Sequence, residues 1–227
     1  MENVILYSVL RSLRAKNDAG PKAKTDINEF LTEEGFKVMD LDLPEKRLEK
    51  FLFVHLKLKR LFKGRQFDNV ILQYPFYSVF LTKKIIENAK KVTHGKFLIM
   101  VHDVETLRVY DGNKQFEKDE MEIFNSADGL IVHNSKMAEW LKQHGVTVPI
   151  TILGIFDYRN DCQKNERFEY QKSICFAGNL EKSTFLKKVK LNDAKLDVYG
   201  PSPAQKYQKG VTYCGVYTPD DLPNHLN

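Results

Sequence analysis

The chain is 227 residues long, 42% hydrophobic and 11% aromatic, which is enough to bury a core in one large domain or two modest ones and excludes a disordered chain. Its 35 basic and 30 acidic side chains are interspersed and leave a net charge of +5. That favours an anionic partner but is too mild for a nucleic-acid-binding surface, and neither zinc-finger spacing nor an RNA-binding aromatic signature accompanies it. No apolar run approaches the roughly 18 residues of a membrane-spanning helix, and the N-terminus passes straight into an apolar strand without the regions of an export signal. Three widely spaced cysteines, Cys162, Cys175 and Cys214, fit a reducing cytoplasm, with Cys175 reading as a small hydrophobe inside an apolar strand.

The first strand is predicted over 4–9. A long polar loop follows, RSLRAKNDAGPKAK, and then a helix over 21–34. Gly20 before Pro21, with Arg11, Arg14, Lys16 and Lys22 close by, would offer backbone donors and cationic side chains to an anion. The loop matches neither the Walker nor the spaced-glycine dinucleotide pattern, and a solvated basic loop explains it equally well. A second strand over 36–42 ends in Asp40-Leu41-Asp42. Carboxylates at i and i+2 share one face of a strand, yet Pro44 follows at once and no further oxygen ligand is near, so no metal site is expected.

Residues 45–65 form the most basic and most apolar helix. Leu48, Phe51, Leu52, His55, Leu58, Leu61 and Phe62 are assigned to one face, ringed by Lys46, Arg47, Lys50, Lys57, Lys59, Arg60 and Lys63. Packing of that face on a sheet is the preferred reading; a peripheral contact with an anionic membrane surface explains the same pattern. A strand over 69–74, a helix over 78–91 and a strand over 97–101 continue the alternation. The last runs directly into His102-Asp103-Val104-Glu105. Open α/β sheets hold their ligands at strand C-termini, which makes His102 and Asp103 candidate proton-transfer groups, with simple capping of the strand as the alternative. A helix over 113–126, a strand over 130–133, a helix over 135–143 capped by Asn134 and Ser135 and closed by Gly145, and a sixth strand over 149–153 complete the first unit. Trp140 is read as core packing.

Residues 158–171 are charged and aperiodic and mark a linker. The second unit, 172–227, is thin for an independent α/β domain: strands over 173–177, 195–199 and 211–214, a helix over 182–189, and a helix start at 218–221. In KSICFAGNLEKSTFLKK a buried strand meets Gly178-Asn179, expected to turn with positive φ, and Lys182 opens an amphipathic helix. Backbone N–H groups and a helix N-terminus above a strand suit a phosphate, and an ordinary strand-to-helix turn reads the same way. The expected architecture is α/β, with two Rossmann-like domains, 1–157 and 172–227, facing each other across a cleft.

The stretches IMVHDVETLR, NSADGLIVHNSKMAEWLKQHGV and FAGNLEKSTFL resemble bacterial two-domain glycosyltransferases of the galactofuranosyltransferase type, a group that includes glucosyltransferases extending GlcNAc on serine-rich adhesins. The resemblance covers most of the chain and is weakest in the loop after the first strand. It implies a GT-B fold, a UDP-sugar donor held mainly by the C-terminal domain, and no metal or other cofactor. Carried over by position, Gly178, Asn179 and Lys182 match the glycine turn and the basic residue at the UDP moiety. Tyr217 matches an aromatic position near the nucleotide, and the loop from Lys16 to Gly20 lies where the N-terminal domain meets donor and acceptor.

The implied activity is transfer of a hexosyl group, galactofuranose or glucose, from a UDP-sugar to a glycan, lipid-linked or glycoprotein acceptor in bacterial surface polysaccharide or adhesin glycosylation. Lys182 and its turn would stabilise charge building on the diphosphate, while His102 or Asp103 would take the acceptor hydroxyl's proton. Family members continue well beyond Asn227, so the C-terminal domain is expected to be cut short, and with that comes the alternative of a non-catalytic partner or scaffold in a glycosyltransferase complex. The expected location is the cytoplasm, at the inner face of the membrane if 45–65 touches lipid. An assembly of identical copies is left open by the sequence.

Overall fold

The computed structural model describes residues 2–9, 19–154, 159, 173–204, 206–218 and 221–223. They belong to two compact units. The first contains six strands, β1 (Glu2–Tyr7), β2 (Lys37–Asp40), β3 (Phe67–Tyr74), β4 (Phe97–Val101), β5 (Gly129–Val132) and β6 (Ile150–Ile152), all parallel in the order β2-β1-β3-β4-β5-β6. Between them run α1 (Ala19–Glu33), a composite helix α2 (47–62), α3 (Val79–Lys90), the short α4 (Glu105–Arg108), α5 (Lys114–Asn125) and α6 (Ser135–Gln143). The chain steps from β1 outward to β2, then crosses back to β3 and proceeds the other way. A reversal such as this one between β1 and β3 is where sheets of this kind usually hold a ligand, at the strand C-termini.

The inner strands β1, β3, β4 and β5 are largely buried on both faces, which is why they read as near-continuous apolar runs, whereas the edge strands β2 and β6 are mostly exposed. Val70 and Leu72 of β3, with Phe97, Ile99 and Val101 of β4, enter the main core beside Leu81 and Ile85 of α3 and Phe124 of α5. Ile71 and Met100 point the other way and are covered by Ile27 of α1. Helix starts are fixed locally: Ser78, Asn113 and Asn134 each accept a hydrogen bond from the backbone N–H three residues on.

Helix α2 departs from the expected face. It runs as Arg47–Leu52, continues as a π-helical stretch Phe53–Leu58, and ends as Lys59–Phe62. Phe53, Val54, Leu58 and Phe62 are buried, whereas Leu48, Phe51 and Leu52, expected on the sheet, are exposed. The π geometry is the cause, because its wider turn brings residues five apart, Phe53 and Leu58, onto one side.

The second unit is a parallel sheet of β7 (Ser173–Ala177), β8 (Lys195–Tyr199) and β9 (Val211–Gly215), in that order. Its buried cluster is small: Leu180, Leu186, Leu196 and Val198. Two expectations fail there. The helix over 182–189 is only a 3-10 turn, Thr184–Lys187, since a short helix needs an apolar face against a surface and of these four residues only Leu186 is buried. The strand 173–177 is not a buried one, because Ile174 and Cys175 are exposed. Neither Gly178 nor Asn179 has positive φ. The strained turn is Gly200, at φ +145, where an added Cβ would lie 1.8 Å from the carbonyl oxygen of Gly178. The linker expected over 158–171 lies outside the described residues apart from Arg159.

Gly200→Ala is expected to destabilise the second unit by about 3 kcal/mol or more, because backbone would have to move away from backbone. Hydrogen exchange should show protection lost in β7, β8 and β9 and kept in β3 and β4.

Candidate active site at the carboxyl ends of the first sheet

The site is organised by one polar side chain. Gln73, next to last in β3 after the apolar run 70–72, is 0% exposed. Its Nε2 donates to the carbonyl of Lys24 (3.1 Å) and to Oδ1 of Asn28 (2.6 Å), both on α1. With the amide nitrogen committed, Oε1 is the acceptor, and His102 Nε2 lies 2.7 Å from it. His102 therefore donates from Nε2, and its Nδ1 carries the lone pair.

Lys24 closes the other side. It is buried, and its Nζ donates to the carbonyls of Pro75 (2.7 Å), Ser8 (3.3 Å) and Gln73 (3.3 Å), bridging the ends of β1 and β3 at the reversal point. The ammonium lies 5.7 Å and 5.4 Å from the ring centres of Phe76 and Tyr77. Burial pushes Lys24 down to about 7, with Glu105 and Asp103 pulling part of the way back. Burial, and then the charges of Lys24 and His133, push His102 down to about 3. His102 is thus a neutral donor throughout the physiological range and a weak proton acceptor. His133, at the end of β5, places its ring 5.4 Å from that of His102.

Beyond His102 the backbone is held by a buried carboxylate. Glu120 of α5 accepts from the N–H groups of Glu105 (2.7 Å) and Thr106 (3.0 Å), the open donors of α4, and from the Tyr74 hydroxyl (2.8 Å). Tyr74 also reaches Glu105 at 3.3 Å. Burial, and then repulsion from Glu120, raise the Glu105 carboxyl to about 6. Asp103 sits at the lip instead, its Oδ2 2.7 Å from Nη1 of Arg108. Both line a cleft of about 600 Å³ between α4 and α6, with Val104, Leu107, Met137 and Trp140 as its apolar walls and Lys136, Glu139 and Gln143 completing its charged and polar rim. Trp140 packs on the core as expected, but it also faces this cleft, backed by the ring of His144 at 3.8 Å.

The other expected site residues divide. Lys16 lies outside the described residues, and Gly20 falls within the first turn of α1. Gly178, Asn179 and Lys182 follow β7 and Tyr217 follows β9, so all four lie at the carboxyl edge of the second sheet. The backbone donors expected to face a phosphate are largely engaged. Gly178 N–H donates to Tyr199, Leu180 N–H to Pro201, and Lys182 N–H to Oδ1 of Asn179. The exposed Lys182 ammonium is what remains. Tyr217 is half-buried, and burial, with Cys175 next in weight, raises its phenol. Asp40 and Asp42 form a local turn, Asp40 Oδ1 accepting from Asp42 N–H, and among the described residues no cluster of three or more His, Cys, Asp or Glu is arranged around a metal position.

Lys24, Gln73, Tyr74 and Glu120 were not singled out by sequence reasoning, and Glu105 was named there only as part of the segment that follows the fourth strand. Lys24 shares the helical stripe of Ile27, Asn28 and Leu31, which marks its side as inward. Gln73 and Tyr74 stand in an otherwise apolar run, and a polar residue there signals a buried network. Nothing local ties Glu120 to α4.

A six-stranded parallel sheet with a winding reversal, and with a fixed polar network and a cleft at its carboxyl edge, is an α/β arrangement compatible with Rossmann-like folds. The chain belongs to the glucosyltransferase 3-like family: the family's N-terminal domain matches residues 7–155 and its C-terminal domain matches 174–227. It is similar to glucosyltransferase 3 of Streptococcus parasanguinis, 28% identical over 136 residues, a match that covers 60% of this chain and 40% of that protein. Among the described residues no helix is long and apolar enough to cross a membrane.

Lys24 makes stability rise with pH above neutrality. Its folded pKa of about 7 lies below the ordinary 10.5, so between these values the unfolded chain binds a proton that the folded chain does not, and stability rises with pH. Lys24→Met should lose that rise, measured as the slope of unfolding free energy against pH from 7 to 10; equal slopes in the two proteins would contradict the buried placement.

Proposed function

We propose that this protein is a glycosyltransferase of the GT-B type, moving a hexosyl group, glucose or galactofuranose, from a UDP-sugar to a hydroxyl of a glycan or glycoprotein acceptor. The observation that carries the reading is the ordered match of both glucosyltransferase 3-like domains along one chain, with the reactive groups of each at the carboxyl edge of its own sheet. Glucose is the favoured sugar, because the named relative is a glucosyltransferase.

In this reading the cleft beside α4 takes the acceptor. Sugars present apolar C–H faces and a periphery of hydroxyls, and the cleft pairs Trp140, Met137 and Leu107 with the charged groups Asp103, Arg108, Lys136 and Glu139. Asp103 takes the acceptor hydroxyl's proton as the hydroxyl oxygen bonds to the anomeric carbon and the bond from that carbon to UDP breaks. Arg108 holds one oxygen of Asp103 and leaves the other for the hydroxyl. His102, its Nε2 committed to Gln73, serves as a positioning residue beside Asp103. Lys182 meets the negative charge that accumulates on the departing diphosphate, and Tyr217 flanks the nucleotide. The donor and these residues act without a resident metal.

Asp103→Asn should lower the rate of UDP release from the matching UDP-hexose by about a hundredfold or more while leaving the affinity for UDP unchanged. Lys182→Ala should weaken UDP binding, read by calorimetry. An Asp103→Asn protein with full turnover would remove the assigned base, and unaltered UDP affinity in Lys182→Ala would remove the assigned diphosphate contact.

A further inference from the structure

Helix α2 carries two apolar faces, and the fold uses only one. Phe53, Val54, Leu58 and Phe62 anchor it in the main core. On the other side Leu48 is 70% exposed, Leu56 62%, Phe51 54% and Leu52 45%. These four stand at i, i+3, i+4 and i+8, one side of two successive turns. A lone exposed leucine is ordinary on a protein surface, but a contiguous strip of large apolar side chains is costly in water and marks a contact. A groove of about 320 Å³ runs beside the strip, lined by Pro44, Leu52, Phe53 and Leu56, with Asp42 and Glu49 and, facing them, Lys57. Because the inner face is held by the core, the strip cannot be buried by rolling the helix.

The charge around the strip says what covers it. Residues 45–65 hold eight basic and two acidic side chains, a net +6, while the whole chain carries only +5. The protein's positive charge is therefore concentrated on this helix and its two ends. Lys46 lies 3.9 Å from Glu49, and Lys57, Lys59, Arg60 and Lys63 form no ion pair among the described residues. Apolar side chains on the outward face, with long basic side chains around them, fit the boundary between anionic headgroups and acyl chains: the rings and leucines enter, and the lysine stems lie along the apolar surface with their ammonium groups at the phosphates.

We propose that the outer face of α2 docks the protein, lying flat, on an anionic lipid surface. It is an interfacial contact, since α2 is too short and too charged to span a bilayer. The contact does not depend on the sugar-transfer reading.

The test is co-sedimentation of the full chain with vesicles of phosphatidylcholine containing one third phosphatidylglycerol, beside vesicles of phosphatidylcholine alone. The expected result is binding to the anionic vesicles only, weakened by salt. The double variant F51D/L56D should bind about tenfold or more weakly, and Lys57→Glu several-fold more weakly, with thermal unfolding unchanged because all three side chains are exposed. No binding, equal binding to neutral vesicles, or F51D/L56D binding as the unaltered chain does would overturn the proposal. So would sedimentation equilibrium showing a dimer that F51D/L56D dissociates, since a second copy would then cover the strip. The salt and lipid dependence of the unaltered chain decides the matter even if a variant fails to fold.

Discussion

A buried primary amide has two donors and an acceptor to satisfy, and in this protein the satisfaction of one amide sets the geometry of the first unit's functional edge. Gln73 gives its donors to α1, through Lys24 and Asn28, and its acceptor to His102. An unmet partner at that depth would cost about 1–3 kcal/mol, so the three elements are held in one mutual arrangement. Lys24 returns the bond by donating to the Gln73 carbonyl, which ties the start of α1 to the end of β3 at the place where the sheet's winding reverses. His102 follows as a neutral donor of fixed tautomer, and Asp103 is placed next to it at the lip of the cleft.

The same logic runs one layer further out. Glu120 occupies the open N–H groups of α4 and receives the Tyr74 hydroxyl, so the loop that carries Asp103 and Arg108 is braced from behind by α5. A carboxylate buried this way is stabilised by charge-assisted hydrogen bonds in place of a cation. The second unit has no comparable reinforcement among its described residues: four buried side chains form its central cluster, and its turn after β7 spends its backbone donors on the end of β8, on Pro201 and on Asn179. The two units therefore contribute differently, one a rigid scaffold with a shaped cleft, the other an exposed lysine and a tyrosine at a sheet edge.

Much of the scaffold was legible because its signals are local. The strands at 97–101, 173–177 and 195–199 have the bounds that apolar runs and their flanking turns suggest, and the helix starts at Asn113 and Asn134 follow from capping side chains. His102 and Asp103 were legible as the residues that follow an apolar strand in an α/β alternation. Helix α2 was misread because its periodicity was taken as 3.6 throughout, and the π stretch changes which residues share a side. The turn at Gly178 was misread because the left-handed conformation it was assigned sits on Gly200, two strands' ends being packed together there. Lys24 and Glu120 act on residues tens of positions away, and their roles emerge only when the sheet brings β1, β3 and β4 side by side.

Everything at this edge turns on His102 being held by Gln73 as a neutral, Nε2-protonated imidazole beside Asp103. Nitrogen-15 NMR of the imidazoles reads tautomer and charge directly. His102 is expected to stay neutral with its proton on Nε2 as pH falls from neutrality to about 4. A titration midpoint near the ordinary 6.5, or a proton resident on Nδ1, would contradict it.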